Sequence, residues 1–424
     1  MKKEKYTMSS VNSEVKIEEN EIVSFNKFDK TVRSFRVHKD GFVGVYMHQG
    51  KISDKEGFEM AEKNLEAKRP YPFELSGGVR SMDKAEKLLS DSELMMKARS
   101  ELAFLKKNFP DFTFSGNVFS EEYSEVHKNS AGMNFSMHDG HNGINIFYKH
   151  KDSKDLDDGY FSVNMRKWSS TKFRKIAANY LSNFGNFLEM PEDCIIMLPE
   201  WNLNGKLNEA LNAEGIALGT SLLAGKIGQK VFSDKLSVCH DVSKKNIWMT
   251  TFWDAEGAVP KGDKLAYIKN GVVLRGYADK RVAKKYGVEC TGSAWANYSD
   301  IPQNGKVHLK IKPLKLTPKE ILEGLSAKEL GTKELSAEGN APHSKLAVLP
   351  VNYSGGGFNA VGEYVMPVQR AFLTDGEKIL GEVPPFTMRS NLFDMFGKDF
   401  IGVSRYTSIW NCSMMLVHMQ AGKL

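Results

Sequence analysis

Residues 15–47 alternate apolar and polar positions in short runs, and Lys39-Asp40-Gly41 joins two of them as the turn of a hairpin. The spacing becomes helical over 56–68, and Arg69-Pro70-Tyr71-Pro72 stops it because proline has no amide donor for a helix interior. Ser90 opens a second helix. Glu93 stands three places on, the capping-box spacing, and Leu94, Ala98, Leu102 and Leu105 fall on the inward face. Strand patterns follow at 113–119, 132–137 and 144–148, the last two read as a hairpin across Asp139-Gly140-His141-Asn142-Gly143. A helix over 171–184 presents Phe173, Ile176, Ala177, Tyr180 and Leu181 on one side, and 194–198 has the composition of a short buried strand.

Residues 205–233 form the passage on which the rest of the pattern turns. Leu207, Leu211, Leu218 and Leu222 lie at intervals of three to four or their sums, which predicts one amphipathic helix against a core. Gly219 and Thr220 weaken it, and Gly225 and Gly228 bracket Lys226 in a segment able to turn tightly. Beyond this point short strands are predicted at 236–239, 247–253, 265–268, 272–277 about Asn270-Gly271, and 308–311, then at 345–351 and 364–373 with a turn at Asp375-Gly376. One helix interrupts them, with Thr317 as cap, Pro318 first and Glu320 closing a capping box. A brief helix is expected at 391–396. The reading is an α+β fold: an N-terminal α+β domain over 8–230, with sub-units of about 8–85 and 88–230, and a β-rich C-terminal domain over 231–424.

Composition narrows the class. A chain of 424 residues with 41% hydrophobic and 26% charged residues has the makings of a globular protein with substantial cores. No apolar run approaches the roughly 18 residues of a membrane span, and the basic start has no apolar segment behind it, so the expected location is the cytoplasm. The four cysteines, Cys194, Cys239, Cys290 and Cys412, form no close pair, which argues against a disulfide scaffold or zinc ribbon. A net charge of +6, mixed along the chain, argues against a dedicated nucleic-acid binder.

Several groupings bear on chemistry. His138, His141 and His150 are close in sequence, but hairpin histidines are ordinarily solvated, and structural zinc takes four ligands. Cys239-His240-Asp241 holds triad residue types on adjacent strand positions, which point to opposite faces and cannot form a relay. The glycine-rich 353–358 lacks phosphate-loop spacing, and the basic stretch 261–285 reads as a solvated hairpin face. Asp254-Ala255-Glu256-Gly257 suits a turn first, then a cation site or a substrate-amine contact.

The order of these segments resembles the TldD/PmbA family, whose PmbA branch is also called TldE and whose members were once labelled modulators of DNA gyrase. The resemblance rests on TSLLAGKIGQKV at 220–231, FWDAEG at 252–257, IKNGVVLRGY at 268–277, AKKYG at 283–287 leading to Thr291-Gly292, Gly362-Glu363-Tyr364, and NLFDM at 391–395. It implies a relation to a zinc peptidase acting on unfolded or extended peptides, paired with a PmbA-type subunit that lacks the metal. The family motif HExxxH aligns without gaps on Asn204, Gly205 and Glu209 in place of the first histidine, the glutamate and the second histidine. A register shifted to 208–213 restores the glutamate but neither histidine, and no histidine occurs between Lys151 and Cys239. Cys412 lies near the position of a late cysteine ligand.

The resemblance therefore implies a metal-free partner, with no cofactor, that completes a peptide-holding chamber with a TldD-like subunit, or a self-dimer. Asp254, Glu256, Gly257 and Gly292 are the expected peptide- or partner-binding positions. Two other classes stand beside it: an independent hydrolase with a relocated site using Glu209, Cys412 and a loop histidine, and a non-enzymatic modulator binding a DNA-associated protein.

Overall fold

A computed structural model describes residues 1–191, 194–244, 250–297, 299–305, 307–329 and 345–423. The α+β reading holds. An eight-stranded sheet built from the first 165 residues packs beside a nine-stranded sheet drawn mostly from the second half, with a four-stranded sheet between them in sequence.

The first sheet begins with a meander, Lys2–Glu18, Glu21–Lys39 and Phe42–Gln49. Its turns at Glu19-Asn20 and Asp40-Gly41 adopt positive φ at all four positions, as two-residue hairpins require. The first strand starts at Lys2, well before the alternation seen from Val15. Residues Lys2–Glu14 are mostly polar, yet they pair with Glu21–Lys39 on one side and Phe112–Asn129 on the other. The capping box at Ser90 and Glu93 forms as expected, and Leu94, Ala98, Leu102 and Leu105 of helix Asp91–Asn108 are buried with Phe173, Ile176 and Leu181 of helix Ser170–Leu181. Both helices cover the face of the sheet that carries Val15, Ile17, Val118 and Ile144.

The hairpin expected across 139–143 is absent. Asn134–His150 is one continuous strand of 17 residues, paired with Phe112–Asn129 and with Gly159–Met165. Its glycines serve close approach: a Cβ at Gly140 would lie 2.8 Å from Glu121 O, and one at Gly143 would enter the Phe119 ring. Asp139, read as a turn residue, is buried against Arg166.

Strand Ile195–Pro199 sits inside the second sheet, between Met414–His418 and Ala347–Tyr353. The strand expected over 247–253 lies partly outside the described residues. Phe252 and Trp253 are not in a strand; they pack against Met133, Phe135 and Met137 of the first sheet. Asn270 and Gly271 form the expected tight turn, while the strand after it is only Val272–Val273. Helix Pro318–Glu329 has its Thr317–Glu320 box, and Asn391 caps the short helix Leu392–Met395.

Replacing Gly143 with alanine should lower the urea-denaturation stability by about 1–3 kcal/mol, the usual cost of an added methyl group in a filled interior.

Candidate functional site

The helix expected to run past Leu218 is two helices, Asn204–Ala210 and Ala213–Leu218. At the break the backbone bonds outward: Tyr277 N donates to Leu211 O at 2.8 Å and Ala213 N donates to Tyr277 O at 3.0 Å. Gly276 permits this approach, since a Cβ there would sit 2.8 Å from Ala213 Cα. Asn212 then caps the second helix through Glu214 N at 3.0 Å. Leu207 and Leu211 are buried and Leu222 is half-buried, but Leu218 is 60% exposed, because the break ends the periodicity that would have carried it inward.

The three motif positions face different surroundings. Asn204 is 8% exposed and, among the described residues, neither atom of its amide has a hydrogen-bond partner. Gly205 is exposed, with open space where a side chain would stand. Glu209 lies at the surface, bonded to Lys206 at 2.7 Å. One neutral amide, no side chain and one surface carboxylate do not fit a zinc ion, which takes nitrogen, sulfur or carboxylate donors converging on one point. Cys412 adds little: its thiol is buried against Trp410 O at 3.3 Å, and burial, with Glu200 assisting, pushes it up to about 12. Among the described residues no group of three His, Cys, Asp or Glu converges as a metal site.

A cleft of 760 Å³ opens between strand Gly159–Met165 and strand Ala347–Tyr353, with Trp201, Lys172 and Cys412 on its walls. Consecutive residues Tyr160, Phe161 and Ser162 all line it, so the strand offers the cleft an edge rather than one face. Among the described residues that strand is hydrogen-bonded only to Asn134–His150, which leaves the second edge available. His141 reaches the cleft, whereas His138 bonds Asp83 and Glu122 and His150 packs on Phe112 and Phe184. The three histidines belong to one strand and do not meet. Cys239-His240-Asp241 likewise splits: His240 Nδ1 accepts from His308 N at 3.1 Å, while Asp241 pairs with Lys264 at 2.9 Å.

The 254–257 segment is a buried turn at the junction of the two halves. Asp254 Oδ1 accepts from Glu256 N and Ala258 N at 2.9 and 2.8 Å, and Oδ2 accepts from Ala294 N at 2.8 Å. Glu256 accepts from Tyr71 Oη and, at 2.9 Å, from Lys280 N. Burial raises both carboxyls from their ordinary values. Gly257 has a φ of 69° and packs on Met133, so a Cβ has no place there. Glu256 and Gly257 thus face the first sheet, while Asp254 and Gly292 line a second cavity of 310 Å³.

That cavity contains residues that the sequence pattern did not single out. On the sheet face opposite the helices, Glu4 accepts from Arg36 Nη1 at 2.9 Å and pairs with His127 at 3.1 Å, and Arg36 Nη1 also donates to Ala255 O at 2.8 Å. Burial alone would raise the Glu4 carboxyl, but His127, His38 and Arg36 hold it well below the usual range. Glu125, 5% exposed on the same face, makes no such pair, and burial raises it to about 8. The available signal was the alternation Tyr123, Glu125, His127, hidden because a polar face in SEEYSEVHKN resembles a loop.

The model of the PmbA/TldA metallopeptidase C-terminal domain matches residues 202–420. An uncharacterized protein of Methanocaldococcus jannaschii is 25% identical over 292 residues, covering 66% of this chain and 67% of its own length. A metalloprotease TldD homolog of Buchnera aphidicola is 22% identical over 342 residues, covering 80% of this chain and 64% of its own length. Among solved structures, TldE from Thermococcus kodakarensis matches with a TM-score of 0.77 and 17% identity over 100% of this chain and 97% of that one. A Thermotoga maritima protein named for modulation of a DNA gyrase matches at 0.76 and 18%, covering 99% and 95%. At such identities the structural likeness speaks for the fold.

Glu125 makes a testable contribution to stability. Its folded-state value of about 8 stands above the ordinary 4.5, so the unfolded chain ionises first and stability falls as pH rises between those values. A Glu125→Gln variant should lose that component of the slope and exceed the wild type in denaturation midpoint at pH 8, with the difference vanishing near pH 4.

Proposed function

Since the chain belongs to the PmbA/TldD family, we propose that it is a metal-free member of the PmbA (TldE) kind, which holds unfolded or extended peptides for a TldD-type zinc peptidase subunit. The observation that carries this reading is the helix Asn204–Ala210, where the family's imidazole and carboxylate positions are an unpartnered amide, a glycine and a surface glutamate. Without imidazoles directed at one point, the chain has no means there of lowering the pKa of a bound water. The cleft supports the peptide role. A strand edge with free amides and carbonyls binds any extended backbone with little regard to side chains, and Tyr160, Trp201 and Tyr353 supply apolar area around it.

The relocated hydrolase finds no support in the geometry. Glu209 is engaged by Lys206 at the surface and the Cys412 thiol stays protonated at neutral pH. Binding to a DNA-associated protein has no surface of its own to recommend it: the basic 261–285 stretch is compensated by Lys264–Asp241, Arg275–Glu289 and Arg281–Glu214 pairs. Among the described residues no helix is long and apolar enough to cross a membrane.

Purified protein, before and after incubation with zinc, should carry far less than one zinc per chain by elemental analysis; a tightly held stoichiometric ion would overturn the metal-free reading. An unfolded peptide should bind and change the fluorescence of Trp201, and the Tyr160→Ala/Trp201→Ala double variant, followed by calorimetry, should bind it at least tenfold more weakly. Equal affinity would remove the cleft from the account. Purification from native cells should bring down a TldD-like subunit, and recovery of a homodimer alone would count against the paired chamber.

A further inference from the structure

The 310 Å³ cavity between the first sheet and the second half presents a buried carboxyl that no described residue satisfies. Glu125 projects from strand Phe112–Asn129 into it, 5% exposed, with no hydrogen bond or ion pair among the described residues. Among the described residues the other charged groups around it have partners. Arg36 is held by Glu4 and Ala255 O, His127 by Glu4, Asp254 by three backbone amides, and Lys84 by Thr250 O at 2.8 Å. His240 and His308 stack at 6.1 Å between ring centroids, and burial lowers both, so they are neutral. His38 lies beyond Glu4, 3.8 Å from its carboxylate. The rings of Tyr6, Tyr123 and Trp253 form part of the remaining wall, with the half-exposed Trp295 at the rim, and Ser34, Thr250 and Ser293 are among the small polar residues that complete it.

We propose that this cavity binds a primary ammonium group, with Glu125 as its counter-ion and the rings of Tyr6, Tyr123 and Trp253 beside it. Two physical arguments converge on that chemistry. A carboxyl withdrawn from water without a partner stays protonated, and only an incoming cation restores its ionised form. Aromatic faces attract cations, and Ser34 Oγ and Thr250 Oγ1 on the same lining, unpaired among the described residues, can accept from an ammonium. The compensated Arg36–Glu4 pair leaves the cavity without net positive charge to oppose the ligand. The terminal amine of a peptide and a free small amine share this chemistry. The proposal rests on the cavity and not on the peptide cleft.

Calorimetry of the full chain at pH 7 provides the test, with n-butylammonium as probe and 1-pentanol as the neutral control of similar size. The expected result is at least tenfold preference for the amine. Binding should also release close to one proton, read from the difference between two buffers of unlike ionisation heat, because Glu125 is protonated before the cation arrives. Glu125→Gln should remove both the preference and the proton. A tetra-alanine amide, compared with its N-acetylated form, identifies the source: tighter binding by the free terminus than by butylammonium marks a peptide end, and the reverse marks a small amine. Equal binding of butylammonium and pentanol, or proton uptake instead of release, overturns the proposal even if the variant fails to fold. So does undiminished amine binding by a folded Glu125→Gln protein.

Discussion

The contact on which the rest of this structure depends is the buried polar seam between the first sheet and the turn at Asp254–Gly257. Arg36 reaches across 219 positions of sequence to Ala255 O, and Tyr71 reaches Glu256. Ser76 donates to Glu256 O at 2.7 Å. These bonds are made where Phe252 and Trp253 pack on Met133 and Phe135, so apolar burial and directional bonding fix the same register between the halves. Breaking one partner here is costly, because a buried charge left alone costs several kcal/mol where the pair is tolerated. The seam also lines the smaller cavity, through Arg36, Asp254 and Ala255, in which Glu125 has no partner among the described residues.

The helix Asn204–Ala210 is held by its apolar side. It packs through Leu207, Ala210 and Leu211, all in the central core of the second half. Its polar positions Asn204 and Glu209 do not converge on one point. At the break after Ala210, Leu211 and Ala213 bond the backbone of Tyr277, and Gly276 admits the approach, so residues of the IKNGVVLRGY block and the end of the helix are tied together in space. A glycine at 205 costs helix propensity and leaves open space, so this position is not there to stabilise the helix.

Local signals in the chain foretold local structure. The Ser90–Glu93 and Thr317–Glu320 boxes, the Asp40-Gly41 and Asn270-Gly271 turns and the inward leucines of Asp91–Asn108 all follow from interactions within a few residues. Where a signal had two meanings, sequence chose wrongly. Glycines at 140 and 143 read as a turn because glycine favours turns, but glycine also admits a neighbouring strand, and only the presence of Phe119 and Glu121 across the ladder decides between them. Polar strands at 2–14 and 120–129 were invisible for a related reason: their inward faces carry Glu4 and His127, whose burial is possible because the two strands lie side by side and pair them.

The same division separates what is known of function. The sequence by itself determined that no imidazole pair could stand on the motif helix, since a residue type that is absent cannot be supplied by folding. It also determined the family and the α+β class, through ordered blocks and short-range patterns. Only the tertiary structure decided which polar side chains are paired. Asp254, singled out as a candidate contact, proves to be satisfied by three backbone amides, while Glu125, unremarked in the sequence, is a buried carboxyl with no partner among the described residues. Pairing of buried charge is a property of positions brought together across the whole chain, and no window of neighbouring residues contains it.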